Sequence, residues 1–191
     1  MEEVSDRLTF SASVAVRAEA EEVFTLVSDL RRKARLNPNI QVIGVELEGG
    51  EPLREGSVFH HKFRKGGRVL AYRTRCIRMV PPRLFETRSE TEPPFEVRVT
   101  VEPTPEGCRL TQQETLEVGP ELLDALEPGH PMEQAFRDAL SLLSVLPGLR
   151  LFPAEWRAQQ RDRLARRLTG ELQAWLNAIK AQLEARQAGQ A

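Results

Sequence analysis

Side chains that could hold a polar ligand group or move a proton fall on three alternating stretches of this chain. In Phe59-His60-His61-Lys62-Phe63, His61 shares its face with two phenylalanines. In Leu70-Ala71-Tyr72-Arg73-Thr74-Arg75-Cys76, Tyr72 and Thr74 lie between Leu70 and Cys76, and the arginines take the other face. In Leu110-Thr111-Gln112-Gln113-Glu114-Thr115-Leu116, Gln112 and Glu114 lie between two leucines. Period-two alternation turns the more apolar set of each strand inward, and these polar groups with it. A carboxylate on an inward face is costly unless it is paired or neutralised. Desolvation raises its pKa and a nearby cation lowers it. His61 and Glu114 are therefore the candidate base and acid for an aldol-type cyclisation or dehydration. With Tyr72, Thr74 and Gln112 they could equally be the few polar handles of an apolar ligand cavity. A structural hydrogen-bond cluster, or a one-residue bulge that turns Glu114 outward, is the competing reading.

Other chemistries find no footing. The chain has no nucleophile elbow, phosphate-binding loop or metal-ligand spacing. His60 and His61 point to opposite faces of one strand, and His130 is distant in sequence, so no metal and no cofactor are expected. Cys76 and Cys108 lie far apart and outside any C-x-x-C pattern, which reads as two buried thiols. Catalysis ranks below binding because nothing in the sequence places His61 and Glu114 within proton-transfer reach of each other.

These side chains need a sheet to carry them. Leu8, Phe10, Ala12, Val14 and Val16 alternate with small or polar residues, a half-buried strand. Ala20, Val23, Phe24 and Val27 then recur at three and four, a short amphipathic helix. Asp29 can cap a second helix over 30–36, which Asn37-Pro38 ends. Strands are predicted over 40–47, 57–65, 68–80, 84–90, 95–102 and 109–118, joined by Gly-Gly, Pro-Pro and Pro-Glu-Gly turns. Such short connections imply an antiparallel meander. A long helix over 155–186 carries Leu164, Leu168, Leu172, Trp175, Leu176, Ile179 and Leu183 as one stripe, opposite Arg161, Arg163, Arg166 and Arg167. That stripe must be buried, and the inner face of the sheet is the large partner available. The expected architecture is α+β, with a curved antiparallel sheet of about seven strands around the long helix.

Face assignment then gives the cavity lining: Phe59, His61, Phe63, Tyr72, Thr74, Thr87, Val99, Gln112 and Glu114 from the sheet, and Leu164 and Leu168 from the helix. Trp156 and Trp175 are expected to help close it. Residues 119–154 fit neither pattern and read as an insertion in a single domain spanning 1–191. Within it 132–146 is helical in pattern, and a lid, a homodimer contact and extra core all fit.

At 191 residues the chain can bury a substantial core, with 40% apolar and 29% charged residues. No run approaches the roughly 18 apolar residues that span a bilayer. The acidic start MEEVSDR lacks a signal-peptide pattern, so a cytoplasmic protein is expected. A net charge of −1 gives no general attraction to nucleic acid. Locally, the chain between Glu55 and Glu86 is basic without an acidic residue. With Arg31, Arg32, Lys33 and Arg35 it could form a solvated, cross-strand-paired face, with Arg73 and Arg75 opposite Glu86 and Arg88. A weak membrane-surface contact is the alternative.

The element order, strand, two short helices, six strands and a long helix, resembles the START-like superfamily. That superfamily includes the polyketide cyclase/dehydrase and lipid-transport family and the birch-pollen-allergen-like proteins. Ala18-x-x-x-x-Val23-Phe24-x-Leu26-Val27-x-Asp29 is similar to the family's opening helix. Asn37-Pro38 followed by Val42-x-x-Val45, Gly56-x-x-Phe59 and Pro81-Pro82-Arg83-Leu84-Phe85 are similar to its later strand entries and turns. The family usually has an aromatic residue near the position of Leu36. The resemblance covers 8–118 and 155–185 and implies a helix-grip fold. It implies binding or transport of a small hydrophobic or amphipathic ligand, lipid or polyketide-like. A cyclase or dehydratase using the same pocket is one alternative, and a protein-interaction module with a filled cavity is another.

Overall fold

The structure, a computed structural model, describes residues 7–65, 68–91, 94–117 and 154–188. Its elements run β1 (Arg7–Val16), α1 (Ala20–Ser28), α2 (Leu30–Arg35), β2 (Gln41–Leu47), β3 (Val58–Lys65), β4 (Arg68–Val80), β5 (Leu84–Ser89), β6 (Phe95–Thr104), β7 (Gly107–Glu117) and α3 (Ala154–Ala188). The seven strands form one antiparallel sheet in the order β1-β7-β6-β5-β4-β3-β2. This is the expected α+β helix-grip arrangement. The predicted 132–146 helix lies outside the described residues.

β1 shows why alternation suffices to make a strand here. Every even-numbered residue from Leu8 to Val16 is buried and every odd one is exposed. β1 then pairs with β7 along its whole length, so consecutive strands of the meander are enclosed between β1 and β2 as the two edges. α1 buries Ala20, Val23, Phe24 and Val27, the predicted three-and-four set. Asp29 caps α2 by accepting a hydrogen bond from the Arg32 amide at 3.1 Å.

α3 buries Leu164, Leu172, Leu176, Ile179 and Leu183 on one stripe and lies closest along β1. That placement leaves space between the helix and the β3–β4 side of the sheet. Arg163 and Arg166 are exposed as expected, but Arg161 and Arg167 are not on an open face. Arg161 donates to the Arg7 carbonyl at 2.8 Å, and Arg167 pairs with Glu171 one helical turn on. Arg75 lies opposite Arg88 as expected, but the ion pairs of the basic run form with other residues. A bulge between Cys76 and Arg78 shifts the β4–β5 register. Arg73 meets Glu90 at 3.3 Å and Glu48 at 3.5 Å, and Arg75 donates to Glu90 at 2.6 Å. Arg88 bonds instead to Glu96, and Glu86 to Arg98.

Gly107 opens β7 with φ +136°, and a Cβ there would run into the backbone carbonyl oxygen of Val16. Both constraints demand glycine. Gly107→Ala is expected to destabilise the protein by at least about 2 kcal/mol, lowering Tm by roughly 4–8 °C in a thermal melt.

Candidate functional site

A partly open cavity of about 360 Å³ lies between α3 and the sheet, toward α2 and the β3–β4 hairpin. Its lining is mostly apolar, with a few polar groups converging on it, the usual composition of a small-molecule site. β3 and β4 supply one wall. His61 and Tyr72 are direct cross-strand partners, and their rings stack at 4.5 Å with 8° between planes. Phe63 and Phe95 meet Tyr72 edge-on at 5.5 and 5.3 Å. β5 ends at Ser89, which is why a β4 side chain can reach Phe95 on β6.

His61 is buried, and its Nε2 hydrogen-bonds the Thr74 hydroxyl at 2.9 Å. Burial, reinforced by the Lys33 and His60 charges, pushes its pKa down to about 4, so the imidazole is neutral at pH 7. Burial and the nearby Glu114 raise the Tyr72 phenol above its ordinary value, and it too stays neutral.

β7 supplies the opposite polar pair. The regular β1–β7 and β6–β7 registers place Glu114 beside Phe10 and Val97, so no bulge turns it outward. Its Oε1 accepts from Gln112 Nε2 at 2.6 Å. Desolvation raises the Glu114 pKa; the Gln112 hydrogen bond and the charges of Lys33 and Lys65 oppose that rise. Gln112 is 1% exposed, and among the described residues its Oε1 has no hydrogen-bond partner.

Of the predicted lining, His61, Phe63, Tyr72, Thr74, Thr87, Gln112, Glu114 and Leu168 border the cavity. Phe59 and Val99 face inward but are packed into the core, and Leu164 is buried without lining the cavity. Trp175 lines the cavity; the side chain of Trp156 lies outside the described residues. His61 and Glu114 both border the cavity, yet each bonds to another residue, Thr74 and Gln112 respectively.

Lys33 was expected on the outward basic surface, and the structure buries it to 2% exposure in the cavity wall. The period of α2 carries the reason. Leu30, Lys33 and Ala34 stand at three-and-four spacing and share the inward face. The rim holds a further group that strand alternation does not reveal. Lys65 bonds Glu171 of α3 at 2.6 Å, and Asn39 donates to the Glu171 carbonyl at 2.9 Å.

Among solved structures, the di-domain ARO/CYC StfQ from the steffimycin biosynthetic pathway is similar with a TM-score of 0.68 at 16% identity. The match covers 95% of this chain but 52% of StfQ, so the chain spans about half the length of that protein. SA2116 from Staphylococcus aureus, a protein of unknown function, has a TM-score of 0.66 at 10% identity, covering 95% of this chain and 96% of that one. The Zhui aromatase/cyclase from Streptomyces sp. R1128 has a TM-score of 0.58 at 16% identity, covering 94% and 95%. At such identities the likeness is one of fold. No curated protein matches the chain in sequence. No helix among the described residues is long and apolar enough to cross a membrane. Residues 7–144 match the family described as polyketide cyclase / dehydrase and lipid transport, which takes in part of the 119–154 segment that the resemblance left out and ends before the 155–185 segment that it included. The match takes in most of the chain, and the protein therefore belongs to the polyketide cyclase / dehydrase and lipid transport family.

Proposed function

We propose that the protein binds a small hydrophobic or amphipathic molecule between α3 and the sheet, acting as one binding unit over its 191 residues. The observation that carries this reading is the cavity of about 360 Å³, at the small end of ligand sites, with apolar walls and a few convergent polar groups. Unfilled volume of that size weighs against a module whose interior is occupied by its own side chains. Membership of the polyketide cyclase / dehydrase and lipid transport family supports a ligand with a polyketide-like or lipid body.

Native mass spectrometry of the purified protein, followed by titration with an environment-sensitive fluorescent fatty acid, tests the proposal. Saturable one-to-one uptake is expected. Thr74 is 2% exposed and borders the cavity, so Thr74→Trp puts an indole into ligand space. It is expected to weaken uptake by about tenfold or more. No co-purified ligand together with no saturable uptake would reject the proposal.

A second reading, cyclase or dehydratase chemistry in the same pocket, draws on one feature. Glu114 faces the cavity and burial raises its pKa, so it keeps its proton to higher pH than an ordinary carboxyl and can exchange it with a bound ligand. His61 does not complete an acid–base pair with it. pH-dependent turnover that vanishes in Glu114→Gln while ligand binding persists would establish this chemistry.

A further inference from the structure

Among the described residues, the buried Lys33 side chain has an aromatic partner but no anionic one. Its side chain is 2% exposed and borders the cavity. Among the described residues, no carboxylate lies within ion-pair distance of its ammonium and no hydrogen-bond acceptor is recorded for it. Its Nζ lies over the Trp175 ring, 4.8 Å from the centroid. The same tryptophan donates its indole N–H to the Lys33 backbone carbonyl at 3.0 Å, fixing α2 against α3. The ammonium is thus held at the partly open cavity by contacts that give its three donors no acceptor among the described residues. Glu114 is the acidic group that acts on it, and that carboxyl is already hydrogen-bonded to Gln112. A structural lysine at this depth would be expected to sit in an ion pair, as Lys65 does with Glu171 at the rim.

We propose that Lys33 is the recognition point for an anionic oxygen of the ligand, so that the cavity selects amphipathic acids over neutral molecules with the same apolar body. The inference rests on the binding reading above and names the substrate class for that site. Burial lowers the Lys33 pKa from 10.5 to about 8, which still leaves the ammonium charged at pH 7. A carboxylate, or an acidic enol or phenol in its ionised form, supplies the missing acceptor and charge together. The apolar body then lies against Phe63, Tyr72, Phe95, Leu168 and Leu172, and Glu114 stands aside on its Gln112 hydrogen bond.

The test uses two matched pairs in calorimetric titrations at pH 7: decanoic acid with decanol, and 2-naphthoic acid with 2-naphthalenemethanol. A charge-assisted hydrogen bond in a buried site makes the acid of at least one pair bind about tenfold tighter than its alcohol in the wild type. In Lys33→Met, and independently in Lys33→Gln, the acid-to-alcohol ratio is expected to fall to near unity. Equal binding of acid and alcohol by the wild type, or an acid preference that survives both Lys33 substitutions, overturns the inference while leaving a binding cavity in place. Failure of every probe to bind overturns the binding reading, and this inference with it.

Discussion

Lys33→Met is expected to make the ligand-free protein more stable. The ammonium is buried, and holding it in the fold lowers its pKa from 10.5 to about 8. At about 1.4 kcal/mol for each pH unit, that displacement is a cost on the order of 3 kcal/mol while the lysine is charged in both states. Methionine removes the charge and keeps an unbranched chain against Trp175, where its sulfur replaces part of the cation–ring attraction. Allowing for that loss, a net gain of about 2 kcal/mol and a Tm higher by roughly 4–8 °C are expected at pH 7. The pH dependence identifies the cause. A depressed lysine pKa means that the unfolded chain binds the extra proton between about 8 and 10.5. The cost is therefore complete below about pH 8 and disappears as pH rises toward 10.5. Urea unfolding of both proteins at pH 7 and at pH 9.5 should show the advantage of Lys33→Met shrinking at the higher pH. Equal stability at pH 7 would mean that the ammonium is already compensated without ligand, and acid recognition would lose its driving force.

A residue whose removal stabilises the free protein has its compensation elsewhere, and here the cavity is where a compensating group can enter. That argument separates Lys33 from the other buried polar side chains. His61 is answered by Thr74, and Ser28 by the Phe24 carbonyl. Gln112 is half answered, through Nε2 alone.

Strand alternation was enough to place the sheet, the inward faces of β3 to β7 and the polar side chains His61, Tyr72, Thr74, Gln112 and Glu114 at the cavity. It reports which side of a sheet a residue faces, but not how deep the space above it is. Phe59 and Val99 face the same side as His61 and Gln112, yet they join the packed core because α1 and α3 close over that part of the sheet. His61 and Gln112 border the cavity that stays open toward α2. The position of α3 decides this boundary, and its stripe alone does not say which strand it will lean on. Lys33 was misplaced for a related reason. Four basic residues in six read as a solvated helix, and the three-and-four relation to Leu30 and Ala34 was the weaker signal against it. Local charge density describes the majority of a surface; the one residue whose angle points inward has to be read from the period.

The boundary between packed core and cavity can be tested with two leucines one turn apart on α3. Leu176 is fully buried and belongs to the core without bordering the cavity, whereas Leu172 is 3% exposed and forms part of the cavity wall. Leu176→Ala removes contacts on every side and leaves a new void, so a loss of about 3–5 kcal/mol is expected. Leu172 already faces space on one side and has fewer partner atoms to lose, so Leu172→Ala is expected to cost nearer about 2 kcal/mol. The two also differ in what they do to the ligand. Truncating Leu172 enlarges the existing cavity and should move the preference toward a longer acyl chain, measured across fatty acids of increasing length. Truncating Leu176 should leave the length preference where it is while lowering the urea midpoint more. Equal stability losses, or an unchanged chain-length preference in Leu172→Ala, would mean that α3 does not bound the ligand at Leu172 and that the occupied volume lies nearer the β3–β4 hairpin.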